Sequence, residues 1–287
     1  MFLNKFLKEL TPPIFYKLGN KFKKKYLQPT FKSYNDAVIA AGTYEEKELV
    51  KVIVAKTKKY IEKKEIVNKL TSFDNLSDAS TTRTLFAIAA GITKKNITVL
   101  DFGGSAGIHY FTARHLIRDD ISIKWCVVET KSLVNEAKEM GLENKELSFF
   151  SSIKEATNKL SKFDIIYTNY ALCYTPNPLF YLEQLLKTNF EKFFITNTAL
   201  NNKNKEIIGL QTSSLSTNGV GREIPNNLRI SDKEVVYPFT IPSKEKVESL
   251  ILQYGTIVYC IKEVEASYQT IEGSFDNYGY LITGNTI

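Results

Sequence analysis

From Ile97 onward the chain alternates short apolar runs with segments of helical period, and this alternation constrains the fold more than any other feature. Residues 97–100 read as a buried strand, 108–117 as a helix, 121–128 as a second strand and 132–140 as a second helix. The pattern goes on with strands over 147–150, 163–168 and 192–196, and with helices over 153–160 and 178–186. Strands that run parallel need a crossover between them, and a helix is the usual one. A helix over 244–254 and a closing pair of strands, 257–264 and 278–283, complete the series. The expectation is an α/β fold: a mostly parallel seven-stranded sheet with helices on both faces.

The rest of the chain is added to this unit. Residues 33–64 predict helices around Gly42-Thr43-Tyr44, and 82–90 a helix ended by Gly91. The organisation expected is an N-terminal basic helical extension over 1–64 followed by the α/β domain over 65–287. Between 197 and 243 the sequence is polar, rich in Asn, Ser and Thr, and weakly periodic. Connections of that length are uncommon unless they have a function, so this one is expected to lie as an insertion over the active site.

Charge is unevenly spread. Residues 1–32 hold eight lysines and one glutamate, which accounts for the whole net charge of +7 among the 287 residues and leaves the remainder neutral. An enzyme of nucleic acids would carry that charge around its site, so no nucleic-acid partner is expected. Residues 1–27 interleave lysines with Phe2, Leu3, Phe6, Leu7, Leu10, Ile14, Phe15, Leu18 and Phe22. Two readings stand side by side: a peripheral contact with an anionic membrane, or a helix docked on its own domain with a solvated lysine face. Three scattered cysteines give neither a metal motif nor a redox pair, and no apolar run approaches the roughly 20 residues that cross a bilayer. A cytoplasmic location and no bound metal are expected.

The first strand run leads into Asp101-Phe102-Gly103-Gly104-Ser105-Ala106-Gly107. In open α/β sheets a ligand sits beyond the carboxyl ends of the strands, at such a turn. Gly103 and Gly104 are expected to let backbone approach a ligand, and Gly107 to allow tight packing where the helix begins. Neither dinucleotide frame fits, because the glycines it requires fall on Ser105 and near Ile108, or on Ala106 and near His109. The Gly-Lys-Ser/Thr ending of an ATP-binding loop is missing as well. Glu129 ends the second strand run, where one carboxylate can accept hydrogen bonds from both hydroxyls of a ribose.

Residues 99–107 resemble the first motif of the class I methyltransferases, an acid followed by spaced glycines, with Glu129 matching their second-strand acid and Ser105 standing where a glycine is usual. The form Asp-Phe-Gly-Gly-Ser, with Ser33-Tyr34-Asn35-Asp36-Ala37 and Gly42-Thr43-Tyr44 upstream, is similar to a bacterial methyltransferase family associated with surface-polysaccharide synthesis. The resemblance implies the Rossmann-like fold of that class and S-adenosylmethionine as cofactor, held by Asp101, Gly103, Gly104, Ser105, Gly107 and Glu129. It further implies that Phe150 and Ser151 flank the adenine, and that Asn169 lies beside the methionine part. Tyr170 and Tyr174 follow the fourth strand, where the acceptor binds; aromatic packing at a strand end accounts for them equally well.

Methyl transfer from a sulfonium is an in-line displacement, so such a protein mainly aligns the partners and excludes water. A hydroxyl acceptor calls for a base. Of the two histidines, His109 follows the glycine turn and is the candidate base, while His115 reads as structural. Arg222, Glu223 and Arg229 offer contacts to an anionic acceptor, although a solvated loop explains them too. The leading expectation is O-methylation of a sugar or surface-glycan precursor. The alternatives are a catalytically inactive donor-binding subunit of a glycan-assembly complex and, less favoured by spacing, an NAD-dependent enzyme.

Overall fold

The computed structural model describes residues 29–67 and 79–284. The basic segment 1–27, with its two readings, lies outside the described residues. In chain order the elements are β1 (Thr30–Phe31), α1 (Tyr34–Ala41), α2 (Lys47–Val67), α3 (Ala79–Gly91), β2 (Asn96–Phe102), α4 (Ile108–Leu116), β3 (Ser122–Val128), α5 (Lys131–Glu139) and β4 (Leu147–Phe150). Next come α6 (Ile153–Lys159), β5 (Phe163–Asn169), α7 (Pro178–Leu186), β6 (Phe190–Leu200), β7 (Ile207–Ser214), β8 (Glu234–Ile241), α8 (Lys244–Tyr254), β9 (Gly255–Thr270) and β10 (Gly273–Gly284).

Seven strands form one sheet in the order β4-β3-β2-β5-β6-β10-β9. The first five are parallel, and β10 runs antiparallel to both β6 and β9. This is a Rossmann-like sheet, seven-stranded and mostly parallel, as expected from the alternation of elements. Its strands alternate their side chains between two apolar layers. Ile97, Val99, Ile123, Trp125, Val127, Ile165, Tyr167 and Phe194 face α2, α3, α4 and α5. Leu100, Phe102, Cys126, Val128, Ile166, Phe193 and Ile195 face α6, α7 and α8. Burial on both faces is what parallel strands require.

Local signals set the helix ends. Asn177 accepts from the Phe180 amide at 3.0 Å and Pro178 occupies the first turn, so α7 starts where its unsatisfied donors find a cap. Ser152 caps α6 in the same manner.

The structure corrects the reading of 197–243 as weakly structured. The fifth strand runs on to Leu200, and β7 and β8 then pair antiparallel over Ile207↔Ile241 to Ser214↔Glu234. On the other side of β7, Thr30 and Phe31 of β1 add a third strand. Val235, Tyr237, Phe239 and Ile241 alternate inward along β8, a period of two that the polar average of the region hid. Pro238 sits within β8 because that strand is an edge of the small sheet, where a missing donor is tolerated. The described part of the N-terminal extension packs into the fold: α1 lies on β7 and β8, and α2 on α5 and the turn after β7.

Phe194 is fully buried on β6, between Tyr167 of β5 and Leu281 of β10 in register. Phe194→Ala is expected to lower unfolding free energy by about 3–5 kcal/mol. Urea titration followed by circular dichroism measures it, and a loss below about 1 kcal/mol would contradict the central place given to β6.

Candidate functional site

The sheet order reverses at β2, which has β3 on one side and β5 on the other. The carboxyl ends of these strands therefore border a crevice, the place where open α/β sheets bind ligands. Backbone strain gathers along this edge. Ser105 after β2, Tyr170 after β5 and Asn197 near the end of β6 all adopt positive φ, at 54°, 58° and 54°. Left-handed backbone costs a residue with a side chain about 1 kcal/mol or more, and such strain gathers at functional sites.

Beneath the turn after β2 lies a buried carboxylate. Asp101 is 0% exposed, receives the Trp125 indole N–H at 3.0 Å and meets Nδ1 of His109 at 3.1 Å from both oxygens. An isolated buried carboxylate is costly, and these two partners offset that cost. Gly104 closes over it: a Cβ there would lie 2.3 Å from Asp101 Oδ2. At Gly103, where φ is +71°, a Cβ would lie 2.1 Å from that of Ala171, at the exit from β5. The glycines were expected to clear the way for a ligand. Instead their side-chain directions are filled by the protein itself, which lets the turn lie flat between β2 and β5. Gly107, with φ +81°, caps the start of α4.

Above the turn, Glu129 at the end of β3 is half-buried. Its Oε1 accepts the Ser105 amide at 3.0 Å and its Oε2 the Thr130 amide at 2.9 Å. The glycine turn and the acid, 24 residues apart, are thus one unit. Burial pushes the Glu129 carboxyl up to about 7, against the pull of the two amide donors. Of the four lone-pair directions of the carboxylate, two are taken by these amides and two remain for a ligand. Among the described residues the amides of Gly104 and Ala106 meet no acceptor, and α4 begins directly after them. Unpaired amides at a helix N-terminus suit a carboxylate ligand.

The other site residues expected from the sequence flank this centre. Phe150 is half-buried next to Glu129, whose amide donates to the Phe150 carbonyl at 3.0 Å. Ser151 is exposed and its hydroxyl donates to Glu155 at 3.0 Å. Asn169 accepts from Thr196 Oγ1 at 3.2 Å. His109, only 6% exposed, packs edge-on against Tyr167 with ring centres 5.0 Å apart. Its enclosure beneath the turn makes it the partner of Asp101 rather than a group lining the crevice.

Tyr170 and Tyr174 belong to an aromatic cluster that joins three parts of the fold. Tyr174 stacks on Tyr44, from the corner between α1 and α2, with centres 5.5 Å apart, and meets Tyr237 and Phe239 of β8 edge-on. Both phenols, Tyr170 at 3.3 Å and Tyr174 at 3.0 Å, donate to Oε1 of Gln211 on β7. Burial pushes Tyr170 up to about 12 and Tyr174 well above the ordinary range, so both are neutral phenols at pH 7. Burial, then the neighbouring Tyr237 and the charge of Glu129, raise the Tyr44 phenol well above its ordinary range. Arg222, Glu223 and Arg229 are exposed in the connection between β7 and β8, outside this cluster.

Sequence reasoning missed Gln211, Tyr237 and Trp125. The first two lie on β7 and β8, whose pairing was not expected. The third is an ordinary apolar strand residue until its indole N–H is seen to reach Asp101 on the neighbouring strand. Among the described residues no group of three or more His, Cys, Asp or Glu is arranged to hold a metal ion.

No protein-family model matches the sequence, and no curated protein is significantly similar to it. Among solved structures, the N-terminal domain of EvdMO1, in the presence of SAH and D-fucose, is similar at 11% identity and TM-score 0.47, over 73% of this chain and 84% of that one. An S-adenosylmethionine-dependent methyltransferase from Clostridium acetobutylicum is similar at 12% identity and TM-score 0.45, over 79% and 99%. The N-methyltransferase NodS from Bradyrhizobium japonicum, in complex with S-adenosyl-L-homocysteine, is similar at 12% identity and TM-score 0.41, over 80% and 99%.

Gly104→Ala is expected to destabilise the protein by about 1–3 kcal/mol, since the added methyl meets a carboxylate that His109 and Trp125 already hold. Gly104 itself has no left-handed φ, so the contact alone sets the cost. Thermal unfolding measures it, and a variant as stable as the wild type would show that the Asp101 contact carries no cost.

Proposed function

We propose that this chain is an S-adenosylmethionine-dependent methyltransferase that methylates a hydroxyl of a neutral sugar or glycan precursor. The observation that carries the donor half is the bond from the Ser105 amide to Glu129, which sets an acid and a glycine turn on one side of a switch-point crevice. The residues fit the donor. Glu129 has two lone-pair directions for the ribose hydroxyls, and the Gly104 and Ala106 amides with the start of α4 suit the amino-acid carboxylate. Phe150 and Ser151 take the adenine side, and Asn169 the methionine side. When bound, the donor supplies a sulfonium methyl group open to in-line attack.

The acceptor half rests on Tyr170, Tyr174 and Gln211. Tyrosine faces pack against the C–H faces of a sugar ring, and neutral phenols and a carboxamide orient hydroxyls without demanding a charge. In this reading Tyr170 and Tyr174 align the acceptor. With their own hydrogens given to Gln211, the phenols accept a hydrogen bond from the acceptor hydroxyl without keeping its proton, which passes to solvent water as the methyl group moves from sulfur to oxygen. His109 acts through Asp101, holding the donor turn in shape. The exposed Arg222, Glu223 and Arg229 are left out, which favours a neutral acceptor over an anionic one.

A second reading has its own observation. The neutral phenols and the enclosed His109 leave no evident base among the described groups of the aromatic cluster, as a donor-binding subunit without catalysis would have. Transfer of labelled methyl to any member of a panel of neutral glycans would reject this subunit role. Donor binding without transfer across the panel would reject the enzyme.

Titration calorimetry with S-adenosylhomocysteine tests the donor half. Binding is expected, and it should weaken as pH falls from 8 to 6, because protonation of Glu129 near pH 7 removes an acceptor from the ribose hydroxyls. Glu129→Gln should bind about tenfold or more weakly, roughly 1.4 kcal/mol, with a flatter pH dependence. No binding by a folded sample would overturn the donor assignment, and a pH-independent wild-type affinity would overturn the role of Glu129.

A further inference from the structure

Lys56 lies in the middle of α2 and is only 3% exposed. A buried lysine is expected to face a carboxylate. This one instead donates to three backbone carbonyls of the connection after β7: Ser216 at 2.8 Å, Asn218 at 2.6 Å and Gly221 at 2.9 Å. An ammonium has three N–H donors, and each has one carbonyl here. Burial lowers its pKa to about 8, which still leaves an ammonium at pH 7; the charged group acting on it from outside is Asp232, itself bonded to the amide and hydroxyl of Ser216. Between the carbonyls the connection presses on the helix. At Gly219, with φ +73°, a Cβ would lie 3.3 Å from the Ile53 Cα.

The same connection leads on to the aromatic cluster. Asn218 is buried, and its amide group donates to Ser213 Oγ at 3.1 Å and to the Ser214 carbonyl at 3.0 Å. Its Oδ1 accepts the Tyr237 hydroxyl at 3.3 Å. Tyr237 in turn meets Tyr44 edge-on at 5.0 Å and Tyr174 at 5.5 Å. We infer that Lys56 is a positioning residue for the acceptor side of the crevice: its ammonium pins residues 216–221 to α2 and, through Asn218 and Tyr237, sets the rings of Tyr44 and Tyr174. The inference rests on the reading of the aromatic cluster as the acceptor site, and it assigns the β7–β8 connection the role of a wall held by one charge.

A latch of this kind acts on one side of the crevice only. Glu129, Ser105 and the glycine turn are held by bonds to β3 and the start of α4, none of which involves Lys56 or residues 216–221. Loss of the ammonium orphans three carbonyls, of which that of Asn218 lies in the interior, so the connection must open to rehydrate it.

Lys56→Met keeps the length and apolar stem of the side chain and removes its donors. Hydrogen exchange read by mass spectrometry is expected to show at least a tenfold loss of protection in 213–221 and 234–239, with 97–107 unchanged. Affinity for S-adenosylhomocysteine should stay within about threefold of wild type. Full protection of 213–221 in the variant would overturn the proposal, as would a tenfold loss of S-adenosylhomocysteine affinity, which would place Lys56 on the donor side. A wild-type protein that fails to bind S-adenosylhomocysteine sinks the donor reading and leaves the exchange result standing, so the two failures are distinct. Should the variant not fold, 15N-lysine-labelled wild type supplies the test. One side-chain ammonium resonance protected from solvent, with couplings to the carbonyl carbons of Ser216, Asn218 and Gly221, is expected, and its absence would overturn the latch.

Discussion

The carboxylate of Asp101 is the constraint on which the crevice is built. It ends the strand at which the sheet reverses, it is wholly buried, and its partners come from two other elements: Trp125 from β3 and His109 from α4. Removing either partner would leave a charge short of donors in a medium that solvates it poorly, so β2, β3 and α4 are obliged to keep their mutual positions. Gly104 lies against the same carboxylate, which fixes the path of the turn above it. Only with that path fixed does the Ser105 amide reach Glu129.

On this base stand two halves of different make. The half proposed for the donor consists of parallel strand ends and backbone amides, and β2 and β3, which carry the turn and the acid, are each bordered by strands on both sides. The half proposed for the acceptor is the small antiparallel sheet with the α1–α2 corner, assembled from segments far apart in sequence: Tyr44, Tyr174, Gln211 and Tyr237. Its cohesion comes from ring packing, a shared carboxamide and the Lys56 ammonium. The Tyr34 hydroxyl adds a bond to the Tyr174 carbonyl at 3.0 Å, and Ser132 ties the corner to α5 through Glu45 at 3.2 Å.

The two halves were legible to different degrees for the same reason. Strands covered on both faces write themselves as apolar runs, and β4 and α7 were read to the residue over Leu147–Phe150 and Pro178–Leu186. A sheet with one wet face has half as many apolar positions, and in β7 they are diluted further by Gln211, Thr212, Ser213 and Ser214. Pro238 interrupts the pattern of β8, and an edge strand accepts it. The pairing of Asp101 with His109 was hidden by a turn that breaks any helical or strand period between them. Nothing in the sequence sets Lys56 apart from the other lysines of α2, since a sequence does not show which charge will meet carbonyls in the interior.

Ser105 shows how a departure from a motif can be explained physically. Glycine is usual at that position, and the backbone there is left-handed, with φ 54°. Glycine reaches this region freely, whereas serine gives up about 1 kcal/mol or more. The geometry turns the Ser105 amide toward Glu129, and a hydrogen bond to a carboxylate contributes roughly 1.5–3 kcal/mol, enough to offset the strain. The neighbours at 103 and 104 have no such freedom, because their side-chain directions run into Ala171 and Asp101. What the turn requires of its residues is therefore set position by position: absence of a Cβ where protein lies against it, and tolerance of positive φ where the amide must reach the acid.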